Sequence, residues 1–542
     1  MNKKILILGA GIMQVPAIKS AKKMGWKVTV ADANRGAPGV PLADRFEQVD
    51  LKNKEAMALL AACLKAENGL DGVFTAGTDF STTVAWTAEQ NGLPGIPYEA
   101  ACNASDKARM RSVFEEKGIP SPRFEVVTDA GKETVYPCLG RLGLPVVVKP
   151  VDNMGSRGIK KIDSPDTVLQ AVETALHNSR SNTAIIEEFI SGPEYSLDAV
   201  VHNGAVTITG FADRHITFTP YFVEMGHTMP TEEKPGIVAE VVSVFTRAAA
   251  GLGITEGAAK GDMKWTQNGP VVGEVAARLS GGYMSGWTYP LSSGVDITAA
   301  ALCIAVGLPP GDLTPRTDYT SAERAFISIP GVIGSIHGKE EADAVPGVEA
   351  VFVLRNPGDD VRFPTNNVEK GGNVISASAG RTEAVEQARR GCAELFFRLE
   401  PNRRQTAAFL FGTVPPWAPD AYRLDYRENR EAFESMSLYE NIDTYVFGDT
   451  LLIIRLPRQE EEAGKDWQGR SFAEGLELIK RYTDIRFETK IEKENLYLGK
   501  LFWLCFLRGG VQGGLWLIDS LQDAGKRAKP LKKVVTGWLA QN

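Results

Sequence analysis

An ammonium at the end of an apolar run, followed at once by a small-residue loop, is the chemistry-bearing feature of this chain. Val146-Val147-Val148-Lys149-Pro150 reads as a buried strand, and Asp152-Asn153-Met154-Gly155-Ser156-Arg157-Gly158-Ile159 turns directly from it. The strand fixes the lysine, and small residues let backbone N–H groups approach the same point. A polyphosphate suits such a site, because a fixed cation and free N–H groups together replace its hydration. The ordinary alternative is a surface lysine whose stem covers apolar neighbours.

Three further clusters have the residue types of a nucleotide site. Ile185-Ile186-Glu187-Glu188-Phe189-Ile190 is an apolar strand ending in paired acids and a hydrophobic pair, an edge that adenine could use, with Glu194 placed to reach ribose hydroxyls. Asp262 and Glu274 sit where two adjacent antiparallel strands would end, and Mg²⁺ asks for few protein oxygens because phosphate and water supply the rest. Arg278, four residues past Glu274, can pair bidentately with a carboxylate or phosphoryl group. Asp106-Lys107 offers a second phosphate cation. Each has a plain alternative: a solvated strand end, or a surface Glu–Arg pair worth little.

The elements that must position these groups alternate in type. Ile5 to Leu8, Lys27 to Val30 and Val73 to Thr75 read as strands, with helices over Val15 to Met24 and Ser81 to Asn91, an order that argues a parallel sheet covered on both faces. Gly9-Ala10-Gly11-Ile12-Met13-Gln14 and Asp32 invite a dinucleotide reading, but Gln14 stands where a third glycine should allow close packing, so a structural role is expected. Strands are expected at 146–149, 184–187, 271–275, 351–354 and 373–377, and helices over 166–176 and 383–398. Residues 401–542 hold five of the nine tryptophans, which points to a folded module. There, 445–456 reads as a hairpin turning at Gly448-Asp449, and Ser471 with Glu474 as a capping box.

At 542 residues the chain is too long for one core, and a charge of −7 gives no global basic field to recruit nucleic acid or anionic lipid. Six scattered cysteines without a CxxC pair fit a reducing, cytoplasmic setting. The apolar stretch after Lys4 is too short for a signal peptide, and Leu501 to Leu507, bracketed by Lys500 and Arg508, falls short of the roughly 20 residues that span a bilayer. No membrane span is expected.

Taken in order, Asp106-Lys107, Lys149-Pro150 with the 152–159 loop, Glu187 to Ile190, Gly192-Pro193-Glu194 and Glu274 to Gly282 resemble the ATP-grasp superfamily, within it the carboxylate–amine ligases related to biotin carboxylase and L-amino acid ligases. Phe222 to Pro230 is similar to the segment before the metal strands in amine-forming members. The resemblance covers residue 1 to about 400. It implies a multidomain α/β and α+β fold: a Rossmann-like pre-ATP-grasp domain over 1–124, an ATP-grasp lid over 125–205, and a core with C-terminal lobe over 206–400. Residues 401–542 would be an extra C-terminal α+β module of open function.

The resemblance further implies ATP with Mg²⁺, or Mn²⁺ in its place. Lys107 and Lys149 would contact the phosphates under a lid of Asn153, Met154, Gly155, Ser156, Arg157 and Gly158. Glu187, Glu188, Phe189 and Ile190 would hold adenine, Glu194 the ribose, and Asp262 and Glu274 the metal. Arg278 and Lys149 would steady an acyl phosphate, with Glu224 and His227 near the substrates. Many members carry asparagine two residues past the second metal carboxylate; here Ala276 stands there, and one metal loses a usual ligand. The activity implied is ATP-dependent joining of a small amino-acid-like carboxylate to an amine, releasing ADP and phosphate. Bicarbonate-dependent N-carboxylation is the second expectation. A nucleotide-binding scaffold whose 401–542 region docks a partner is the third. Homodimerisation is left open.

Overall fold

The apolar run at the start forms the strand Lys4–Leu8, and Lys27–Asp32 and Gly72–Phe74 flank it in parallel, with Arg45–Gln48 beyond Lys27–Asp32. Val15–Lys23 and Lys54–Asn68 are the helices between them and Ser81–Gln90 follows the last, so strand and helix alternate as read from sequence. The computed structural model describes residues 2–412, 417–423, 433–440, 451–454, 464–488, 496–527 and 529–540. It divides into two units, Met1–Glu323 with Ala377–Val385, and Arg324–Ser376 with Glu386–Asn542.

In the first unit two antiparallel sheets follow the parallel one. The smaller runs Phe124–Val127, Ala184–Glu188, Val146–Pro150, Lys160–Ile162, with Val147 opposite Glu187 and Lys149 opposite Ile185. Val146, Val148, Ile162 and Ile186 face the helices Lys132–Leu142 and Val168–Asn178 in a closed core. The larger sheet runs Gly269–Ala276, Gly257–Thr266, Glu194–His202, Ala205–Thr217, then Val223–Met229. Its register sets Asp262 opposite Glu274 on one side and Ser196 on the other. The helix Pro235–Gly251 covers one face through Val241, Phe245 and Ala248.

In the second unit the helix expected over 383–398 stops at Glu394, and Phe396–Leu399 is a strand paired with Gly331–His337. Phe396, Phe397 and Leu399 are buried there, so sheet burial overrides the helical pattern. The described residues of 401–542 belong to the second unit together with Arg324–Ser376. Leu410, Phe472, Phe502, Trp503, Trp516 and Trp538 share one continuous core with Phe326, Ile333, Val374 and Phe397. The run Leu501 to Leu507 belongs to a 27-residue helix, Lys500–Lys526, long and apolar enough by composition to cross a membrane, but 94% of its apolar window is buried inside this core. Gly510, at φ +60° and ψ −149°, interrupts it in a backbone region open essentially to glycine alone. Ser471 and Glu474 form the expected capping box at the head of Phe472–Arg481. Of the expected hairpin, Leu451–Ile454 is a strand, and Tyr445 to Thr450 with residues 455–456 lie outside the described residues.

Candidate active site

Lys149 ends its strand with the ammonium 2.6 Å from one oxygen of Glu187, and Arg111 Nε donates to the other at 3.0 Å. All three side chains are buried. Burial alone would raise the Glu187 carboxyl, but Arg111 and Lys149 reverse that and hold it below the usual carboxylate range. Burial draws Lys149 below the ordinary lysine range, Glu187 opposing and Arg111 and Lys107 adding to it. A buried ammonium with one anchored donor and more cations than anions around it is suited to a polyanion.

Lys107 opens the helix Lys107–Glu116, whose N-cap Asp106 accepts from the N–H groups of Ala108 and Arg109. The cap fixes the lysine, whose Nζ donates to Asn153 O at 2.8 Å and lies 3.6 Å from Glu274. One ammonium thus joins the small-residue loop to the candidate metal strand. In the loop Asn153 donates to Asn178 O at 2.7 Å, Arg157 to Met154 O at 3.0 Å, and Gly155, Ser156 and Gly158 all have positive φ. Asp152 anchors its base by accepting from the backbone of Arg180 and Ser181.

The two metal candidates differ in how far they are committed. Asp262 accepts from Ser196 Oγ at 2.7 Å and from Lys260 Nζ, and Arg214 Nη1 lies 3.3 Å away. Burial would raise its carboxyl, and Arg214 and Lys260 bring it below the usual value. Glu274, with its side chain 34% exposed, pairs with Lys107 at 3.6 Å. Burial would raise it too, but Lys107, Lys260, Lys149 and Arg278 hold it at about 2. Among the described residues no group of three or more His, Cys, Asp or Glu side chains converges as a metal cluster. Facing carboxylates with one open member fit a Mg²⁺ that draws its remaining oxygens from phosphate and water.

The expected adenine edge is partly committed to the protein itself. Glu187 serves Lys149 and Arg111, and Glu188 pairs with Arg123 at 2.9 Å. The Phe189 ring has the ammonium groups of Lys161 (4.7 Å) and Lys264 (5.3 Å) close to its centre. Ile190 O accepts from Lys264 at 2.9 Å, and Lys264 also pairs with Glu194 at 2.7 Å.

His227 is fully buried, with Nδ1 2.8 Å from Glu323 and Nε2 3.6 Å from Glu224. Burial would lower the imidazole, but Glu224 and Glu323 push it up to about 9, so it is a cation at neutral pH. Glu224 also accepts from Arg214 Nε at 2.9 Å. Gly282, at φ +60°, turns the chain against this group: a Cβ there would sit 3.0 Å from Glu224 Oε1. Arg278 Nη1 donates to Leu279 O at 3.0 Å. A buried carboxyl, Asp198, pushed up to about 7 by burial, accepts from the Ser280 N–H at 3.0 Å and from its hydroxyl.

The N-terminal glycine loop is filled from within. Asp32 accepts from Ala10 N at 2.8 Å, and buried Gln14 donates to Ala76 O. The acid that a dinucleotide ribose would need holds its own loop, in keeping with a structural role. Sequence reading assigned no role to Arg111, Arg214, Lys260, Ser196 or Glu323, each of which holds a site carboxylate or imidazole. For Arg111 and Lys260 a signal existed: the first lies one helical turn past Lys107, the second two residues before Asp262 on the same strand face.

Residues 142–286 match the ATP-grasp domain, and 325–400 match the L-amino acid ligase C-terminal domain 2. The chain therefore carries an ATP-grasp domain followed by an L-amino acid ligase C-terminal domain 2. It is similar to protein y4rH of Sinorhizobium fredii, 26% identical over 66% of this chain and 75% of that one. It is also 26% identical to carnosine synthase 1 of Mus musculus, over 57% of this chain but only 40% of that longer protein. The L-amino acid ligase structure from Bacillus licheniformis shares the fold, with a TM-score of 0.65, 23% identity, and coverage of 74% of this chain and 99% of that one.

Proposed function

We propose that this protein is an ATP-dependent ligase that joins an amino-acid-like carboxylate to an amine, releasing ADP and phosphate. The observation that carries the reading is the Lys107 ammonium, which reaches both the 152–159 loop and Glu274. Phosphates lying there would meet Lys107, Lys149 and the loop, with Glu274 as the open carboxylate for magnesium and Asp262 facing it. When bound, magnesium supplies charge neutralisation at the phosphoryl oxygens.

The γ-phosphoryl group passes to the substrate carboxylate oxygen, the β–γ bond breaks with ADP leaving, and the amine then displaces phosphate from the acyl carbon while losing a proton. Lys149 and Arg278 offset the charge on the transferring group, and catalysis is largely positioning and electrostatics. Glu224, beside Gly282 and the charged His227, is the anion on which the substrate ammonium would rest. The similarity to carnosine synthase 1, whose name describes dipeptide formation, supports an amino-acid amine.

The test is phosphate release from MgATP over a matrix of amino acids and small acids. Release that needs both a carboxylate and an amine is expected. Release with labelled bicarbonate incorporation and no amide would replace this reading with N-carboxylation.

A further inference from the structure

We propose that the Lys260 ammonium takes the place of a second divalent cation, so that the site works with a single metal ion held by Glu274. The inference rests on the ATP-site reading and adds to it the number of metals and the residue that replaces one.

The register of three strands places the groups. On one face of Gly257–Thr266 lie Lys260 and Asp262, two residues apart. Across one side Lys260 faces Ala276 and Asp262 faces Glu274; across the other they face Asp198 and Ser196. Ala276 brings no ligand atom, and its small side chain leaves the space beside Glu274 to a neighbour. Lys260 Nζ is the group that fills the position next to Asp262, donating to Oδ2. Arg214 Nη1 lies 3.3 Å from the same oxygen, and Ser196 Oγ donates to Oδ1 at 2.7 Å.

Both oxygens of Asp262 are therefore taken, one of them by two cations. A divalent ion on Asp262 would have to displace an ammonium whose side chain is only 12% exposed. Removing a partner from a buried charge is costly. Glu274 feels its cations, Lys107, Lys260, Lys149 and Arg278, from further off: the nearest stands 3.6 Å away, and its side chain is three times as open as that of Asp262, 34% against 10%. The donor set thus offers one open carboxylate and one already neutralised by the chain's own lysine. A fixed ammonium supplies positive charge beside the phosphates without recruitment from solution, and Lys260 acts as a positioning residue through Asp262.

The experiment counts Mn²⁺ by electron paramagnetic resonance on the full chain saturated with a non-hydrolysable ATP analogue, after calorimetry has recorded heat from that analogue. One tightly held Mn²⁺ per chain is expected for the parent. Lys260→Met, which keeps the stem and removes the charge, is expected to gain a second, and Lys260→Arg to stay at one. Asp262→Asn is expected to retain the single ion. Two ions in the parent, a folded Lys260→Met that stays at one, or loss of the ion in Asp262→Asn would overturn the inference while leaving the ATP site intact. No heat from the analogue would overturn the ATP reading and this inference with it.

Discussion

Lys149 and Glu187 lie diagonally across two paired antiparallel strands with their charged groups 2.6 Å apart, and Arg111 closes the other side of the same carboxylate at 3.0 Å. Two cations share one anion out of solvent, which leaves a net positive charge directed at the loop that follows Pro150.

That asymmetry makes the two obvious substitutions behave differently. Lys149→Met leaves Glu187 paired with Arg111, so the fold is expected to persist while nucleotide affinity falls about 100-fold, the loss of one charge-assisted contact to phosphate. Glu187→Gln leaves two buried cations without an anion, and a loss of about 3–5 kcal/mol in stability is expected. Calorimetry with MgATP and denaturant titration separate the two. Unchanged affinity in Lys149→Met would remove Lys149 from the phosphate site.

His227 gives the protein a pH signature. Its imidazole is raised to about 9 from an ordinary 6.5, so the folded state holds a proton that the unfolded chain releases sooner. The stabilisation is complete below pH 6.5 and disappears as pH rises through 9, with a full size on the order of 3 kcal/mol. The stability gap between the parent and His227→Gln is expected to narrow across that window in thermal or urea unfolding. A gap that stays constant from pH 6 to 10 would show that His227 is not a buried cation.

The parts of this site that could be read from sequence share one property: each lies in a segment whose local pattern fixes its own geometry. Val146 to Lys149 is a continuous apolar run, and such a run ends where its charged residue ends. Asp262 and Glu274 belong to one hairpin, so their facing follows from local pairing. Arg214, Ser196 and Glu323 were hidden because long-range strand pairing brings them in, and no periodicity within Ala205–Thr217 says that Arg214 reaches carboxylates from three other strands. Residues 401–542 were legible as folded from their tryptophans, but hydrophobicity has no address. It could not say that Trp503 and Trp516 would close the core begun by Phe326 and Phe397.

Gly282 links the carboxylate cluster to the predicted substrate position. At φ +60° it adopts a conformation unfavourable for side chains, and an added Cβ would press on Glu224 Oε1 at 3.0 Å. Gly282→Ala is expected to leave nucleotide affinity within about twofold of the parent, because the lysines and Glu274 are untouched, while kcat/KM for the amine falls about tenfold or more, roughly 1.4 kcal/mol of misplaced contact. Steady-state kinetics with ATP and amine varied separately will distinguish the effects. An equal loss for both substrates would mean that Glu224 and Gly282 serve the nucleotide.

Truncation after Glu400 tests whether the C-terminal region is an accessory. Cutting there removes Trp503, Phe506, Trp516 and the rest of the apolar partners of Phe326, Ile329 and Phe397. It also removes Gln512, which donates to Phe397 O at 3.0 Å and to Ser328 at 2.9 Å, and buried Arg470, which holds the carbonyls of Ala393 and Leu395. Each large side chain stripped of its packing costs about 3–5 kcal/mol, and a domain of ordinary stability, about 5–15 kcal/mol, does not survive the loss of several. The 1–400 fragment is therefore expected to aggregate or to be cut rapidly by protease within 324–400, whereas an accessory module would leave that segment as resistant as in the parent. Limited proteolysis followed by mass spectrometry reads the difference directly, because it reports on the 324–400 backbone rather than on turnover.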